Sequence, residues 1–134
     1  DEGKSCAMAC LLNKARRPFV WWSGTSAREA ATEAATADRD REGASRRWHY
    51  GSIVSVLMLD DISQGVFKPA WSSKLFDLLE NRNAAGLPTF WTSQISISDL
   101  KRKMIDQNGG DLPQAEAIAR RLTQNTLIID ASNP

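Results

Sequence analysis

The chain has 134 residues, 42% hydrophobic and 25% charged, which is enough apolar side chain for one domain with a packed core. A formal net charge of +1 excludes a global field drawing it to nucleic acid or to a membrane surface, so any such contact must come from a local patch. No apolar run approaches the roughly 18 residues that span a bilayer, and the acidic, polar start does not read as a secretory leader; a cytoplasmic location and no membrane partner are expected.

From Ser5 to Lys14, "SCAMACLLNK" is rich in Ala, Met and Leu and predicts a helix. Cys6 and Cys10 lie four apart in it, a spacing that suits neither a zinc site nor a common disulfide, and are expected to be buried small residues in a reducing compartment. "PFVWWSG" predicts a short buried strand stopped by Gly24, with one of Trp21 and Trp22 in the core. Residues 25–47 favour helix through their alanines but offer few large apolar side chains, so residues 26–50 are expected to form a poorly packed surface helix and a mobile linker. "GSIVSVLMLDDIS" is nearly continuous in apolar residues from Ile53 to Leu59, as in a strand covered on both faces.

Trp71, Leu75, Leu78 and Leu79 then share one helical face, with Pro69 at its start and Gly86 past its end. "LPTFWTSQ" predicts another strand, and "SISDLKRKMIDQ" a helix capped by Ser98 and stopped by "NGG". A further helix has Pro113 near its first turn, and "NTLIID" reads as a closing strand. Helices alternating with strands predict an α/β layered fold with a mainly parallel sheet. A strand ahead of the first helix, the usual centre of such a sheet, is missing from this order.

Two signals bear on chemistry. Gly3-Lys4-Ser5 matches the end of the phosphate-binding pattern G-x-x-x-x-G-K-[ST], although only Asp1 and Glu2 precede it. Asp60-Asp61 closes the most apolar strand. Gly3, Lys4, Ser5 and Cys6 would open a helix whose N–H groups and dipole attract phosphate. Lys4 can reach the β- and γ-phosphates of a nucleotide and the Ser5 hydroxyl can ligate Mg²⁺. Asp60 can position the metal's waters, and Asp61 can orient a hydrolytic water. Ligands bind open parallel sheets at the carboxyl ends of their strands, where both signals fall.

With these motifs in place, "GKS…VLMLDDIS…LFDLLENRNAAGLPTFWTSQISISDL…AIARRL" resembles the AAA+ ATPases of the DnaC-type helicase loaders and IstB-type transposition helpers. The resemblance implies a three-layer P-loop NTPase core over residues 1–134, N-terminally incomplete, with Asp1 not the natural start. It implies binding of ATP with Mg²⁺, and hydrolysis. The family's metal-binding strand matches Leu59, Asp60, Asp61 and Ile62, with Ser63 replacing a glycine. Gln94 stands where the family has an asparagine that senses the γ-phosphate. Arg121, or Arg120 within one residue, matches an arginine that reaches a neighbouring subunit's nucleotide, which implies a homo-oligomer. Partners implied by the family are a replicative helicase or a recombinase, and single-stranded DNA.

Other readings stay open at this level. Asp61 in place of Glu and Gln94 in place of Asn leave room for a nucleotide-binding interaction module without turnover. Arg39, Arg41, Arg46 and Arg47, followed by Trp48, His49 and Tyr50, suit single-strand binding by charge and stacking, in which case the nucleotide site would have decayed. Interleaved Asp38, Asp40 and Glu42 favour a solvated loop there instead. Lys101, Arg102 and Lys103 form a second basic cluster, read by default as a polar helical face.

Overall fold

The apolar run ending in Asp60 becomes the middle strand of a parallel sheet. In the computed structural model, which describes residues 2–15, 17–35 and 42–124, the elements run in the order α1 (Glu2–Ala15), β1 (Phe19–Ser23), α2 (Gly24–Ala35), α3 (Glu42–Ile53), β2 (Val56–Asp60), α4 (Pro69–Ala84), β3 (Thr89–Trp91), α5 (Ile97–Gln107) and α6 (Leu112–Thr123). The sheet order is β1-β2-β3, all parallel, with Trp21 opposite Met58, Trp22 opposite Leu59 and Leu59 opposite Trp91.

Side chains alternate across a strand, so β2 feeds two cores. Val56 and Met58 face one side, with Trp21 and with Met8 of α1. Leu57 and Leu59 face the other, where they join Trp22, Phe67, Leu75, Leu78, Ile118 and Leu122. The result is three layers: α1, the sheet, and the remaining helices. Trp22 is thus the core tryptophan of the pair, while Trp21 faces α1.

The helices show why they pack as they do. Ala27, Ala30 and Ala31 are buried at helical spacing, so α2 uses small residues to lie close to its neighbours rather than large ones to fill space. α4 buries Trp71, Leu75, Leu78 and Leu79 on one face; each such leucine contributes roughly 1.5–3 kcal/mol by leaving water. α5 is capped by Ser96, whose Oγ accepts from the Asp99 N–H at 3.1 Å, two residues before the expected Ser98. Asp111 caps α6 by accepting from the Gln114 N–H at 3.1 Å.

Three expectations are corrected. The linker expected to reach residue 50 is helical from Glu42, and α3 continues through Gly51–Ile53, so the strand starts at Val56 and not at the head of the apolar run. Trp48 explains the helix: it is buried, stacks on Trp22 at 5.4 Å and meets Trp71 edge-on at 6.4 Å. The close approach uses Gly51, where a Cβ would lie 2.2 Å from the Trp22 ring. Third, Cys6 and Cys10 are exposed, because Ser5, Met8 and Ala9 form the partly covered face of α1 and the cysteines lie on its opposite side. The closing strand expected at 125–130, and Arg39 and Arg41, lie outside the described residues.

At the amino end of the sheet, Arg82 of α4 is fully buried, with no carboxylate partner among the described residues. Its Nε donates to Thr89 Oγ1 at 2.8 Å, its Nη1 to the carbonyls of Gly51 and Val54 at 3.0 and 2.7 Å, and its Nη2 to the Pro88 carbonyl at 2.8 Å. These oxygens end α3 and precede β2 and β3, so one side chain ties the three together. Burial pushes the guanidinium down to about 10, still charged at neutral pH.

Candidate functional site

At the opposite, carboxyl end of the sheet, a cleft of about 290 Å³ is lined by polar residues. Lys4 and Ser5 come from the first turn of α1, Asp60 and Asp61 from the end of β2, and Thr92, Ser93 and Gln94 from the segment after β3. One lysine, two carboxylates and three hydroxyls in a space of this size suit a charged, cation-bridged ligand better than a wholly apolar one.

Hydrogen bonds hold these elements together. Ser5 Oγ donates to Asp60 Oδ1 at 2.6 Å, and Thr92 Oγ1 donates to the same oxygen at 2.8 Å. Thr92 Oγ1 also accepts from the Asp61 N–H at 2.8 Å, which fixes the backbone between the two acids. Lys4 Nζ donates to the Ser93 carbonyl at 3.1 Å, so the lysine reaches across from α1 to the segment after β3. An ammonium has three donors in total, and this bond uses one of them.

The turn after β2 is tightly built. Asp61 has φ of 56°, the left-handed region that Asp adopts more readily than most residues. Its carbonyl passes so close to the start of α2 that a Cβ at Gly24 would lie 2.4 Å away. Ser63 Oγ donates to Asp61 Oδ1 at 2.6 Å and accepts from the Gln94 N–H at 3.2 Å. Lys103 of α5 donates to the Ser63 carbonyl at 2.5 Å and lies 6.0 Å from the centre of the Phe67 ring. The cluster at 101–103 is therefore divided: Lys103 turns inward, while Arg102 pairs with Asp99 at 3.8 Å on the surface.

The cleft brings together Lys4, Ser5, Asp60, Asp61 and Gln94 of the residues singled out in the sequence. Gly3 and Cys6 lie beside them on α1, both exposed. Arg120 and Arg121 are on α6, away from the cleft lining; Arg120 is exposed, and Arg121 pairs with Glu80 and bonds Gln124 Oε1 at 3.1 Å. Thr92, Ser93, Ser63 and Lys103 carry as much of the site's architecture as the acids do. The "TS" of "FWTSQ" and the serine after "DDI" were the available signals for three of them, but a hydroxyl next to an acidic pair says nothing by itself of which acid it serves.

The donors fit a magnesium ion. Mg²⁺ prefers oxygen ligands and is commonly held by one or two carboxylates, waters and substrate phosphates. Ser5 Oγ, by donating its proton to Asp60, keeps lone pairs for a cation, and among the described residues no cluster of three or more His, Cys, Asp or Glu offers a different kind of metal site.

No protein-family model matches the chain, and no curated protein matches it in sequence. Solved structures do match its fold. It is similar to DnaI, at 24% identity over 70% of this chain and 48% of that one, with a TM-score of 0.59. It is similar to AMPPCP-bound DnaA from Aquifex aeolicus, at 15% identity over 66% of this chain and 26% of that one, with a TM-score of 0.54. A DNA replication initiation factor matches 82% of this chain with 31% of its own, at 12% identity and a TM-score of 0.58. The chain thus spans about half the length of the first and under a third of the other two. It shares with these structures an α/β fold with helices on both faces of a parallel sheet. Among the described residues no helix is long and apolar enough to cross a membrane.

Proposed function

We propose that this chain is the nucleotide-binding core of an AAA+ ATPase that acts in DNA replication, with ATP and Mg²⁺ bound at the carboxyl edge of the sheet. The observation that supports this most directly is the Ser5–Asp60 hydrogen bond at 2.6 Å, which joins the start of α1 to the end of β2 across 55 residues. A surface turn and a polar strand exit would have no reason to meet.

Each residue then has a task. Lys4, already spanning the cleft, neutralises the terminal phosphates. Ser5 and Asp60 hold Mg²⁺, directly or through water, and the ion would supply charge neutralisation on the phosphate oxygens. Asp61 orients and polarises the attacking water, its carboxylate fixed by the turn. Gln94 stands at the mouth of the cleft, where its amide can contact the γ-phosphate. Arg120, exposed on α6, and Arg121, which must first leave Glu80, are the side chains offered to a second copy's nucleotide. The likeness to DnaI favours a helicase-loading role over transposition.

Steady-state ATP hydrolysis, with and without single-stranded DNA, tests the proposal. Lys4→Ala and Asp61→Asn are each expected to lower the rate at least tenfold. Equal rates for both variants and the unmodified protein would sink the enzymatic reading.

A further inference from the structure

We propose that Ser63 is the positioning residue for Asp61, setting its carboxylate for the water and coupling it to the segment that carries Gln94. The inference rests on the hydrolytic reading given above. It goes beyond it because that reading gives Ser63 no task.

Ser63 is 7% exposed and its hydroxyl is used at both ends. The O–H donates to Asp61 Oδ1 at 2.6 Å, and the oxygen accepts from the Gln94 N–H at 3.2 Å. Its own backbone is held from outside the turn, since Lys103 donates to the Ser63 carbonyl at 2.5 Å. The Asp61 backbone is pinned separately, by its N–H to Thr92 Oγ1 at 2.8 Å and by the Ile62 N–H to the Thr92 carbonyl at 2.9 Å. With the main chain fixed on one side, the side-chain torsion is the remaining freedom of Asp61, and Ser63 removes it. Among the described residues this bond engages one carboxylate oxygen, and the other is the one that would meet the water.

The arrangement also defines a route. A movement of the segment after β3, as when Gln94 meets a phosphate, pulls on the Ser63 hydroxyl and so on the Asp61 carboxylate. Gly at this position would leave both ends of that route unconnected.

Two measurements on the whole chain test this. In protein labelled with ¹³C at aspartate carboxyls, with Asp61→Asn identifying the resonance, Ser63→Ala should move the Asp61 signal and Ser63→Thr should restore it. In hydrolysis assays, Ser63→Ala should lower kcat about tenfold with KM within about twofold, Ser63→Thr should recover most of the rate, and Ser63→Ala should add nothing to Asp61→Asn. An unmoved carboxyl signal would overturn the proposal, as would an equal loss of kcat in both the Ala and Thr variants or a loss confined to KM. If the unmodified chain does not hydrolyse ATP, the proposed activity fails while the carboxyl signal still decides whether Ser63 holds Asp61.

Discussion

β2 ends in polar clusters of opposite character. At its amino end, Arg82 is buried and gives its donors to the Gly51, Val54 and Pro88 carbonyls and to Thr89. At its carboxyl end, Asp60 collects Ser5 and Thr92 on a single oxygen beside an open cleft. One cluster is sealed, with three of its four hydrogen bonds directed at main-chain carbonyls and the fourth at a side-chain hydroxyl. The other is made of side chains, sits at solvent, and keeps acceptor capacity in reserve. A polar group that closes backbone ends sustains the fold, whereas one that converges with other side chains on a cleft is available for chemistry.

Breaking the sealed end should have the largest effect. Arg82→Met leaves several buried oxygens without donors and should lower stability by on the order of 3 kcal/mol or more, read as a fall in the urea midpoint. Arg82→Lys should recover little of it, since an ammonium cannot reproduce the planar fork. Next in size, Gly51→Ala drives a methyl into Trp22 and should cost about 1–3 kcal/mol in the same measurement, with nucleotide affinity of the folded fraction unchanged. At the open end the pattern reverses. Asp60→Asn should change stability by less than about 1 kcal/mol while weakening Mg²⁺-dependent ATP binding at least tenfold in titration calorimetry. Arg121→Ala breaks a partly exposed ion pair and should move stability by no more than about 1 kcal/mol. If Arg82→Met left the midpoint in place, or Asp60→Asn lowered it as far, the two ends would not differ as described.

The open end was far more legible in the sequence than the sealed one. Lys4, Ser5, Asp60 and Asp61 stood out because they fall in short local patterns of the kind phosphate chemistry uses, and the fold brings all four to one cleft. Arg82 has no such motif: its partners lie 31, 28, 7 and 6 residues away, and the two bonds to Gly51 and Val54 exist only once the end of α3 is packed against α4. The same long-range tie misled the reading of "GSIVSVLM". Apolar continuity pointed to a strand from Ile53, but the Gly51 and Val54 carbonyls at the end of α3 are capped by Arg82 and Gly51 is pressed to Trp22, so the helix persists to Ile53. Trp48, taken with a basic loop, proved to be core for that reason. The cysteines were misjudged because burial of α1 is decided by which face meets Met58 and Trp21, and helix composition does not choose a face. Both thiols should react freely with a thiol reagent in the folded protein, a small effect that checks the orientation of α1.

The tryptophan array gives the molecule an optical property of its own. Trp22 and Trp48 lie nearly parallel, at 5° between ring planes, with Trp71 at 72° against the second ring. Indoles this close couple their excited states, so the ultraviolet circular dichroism should carry an aromatic signal that changes when Trp48, common to both pairs, moves. Trp22 is followed directly by Ser23 and Gly24, and Gly24 touches the Asp61 carbonyl. The chromophore is therefore close in sequence to a glycine packed on the turn that carries Asp61, and occupancy of the cleft should be readable as a change in that ultraviolet signal without any label attached.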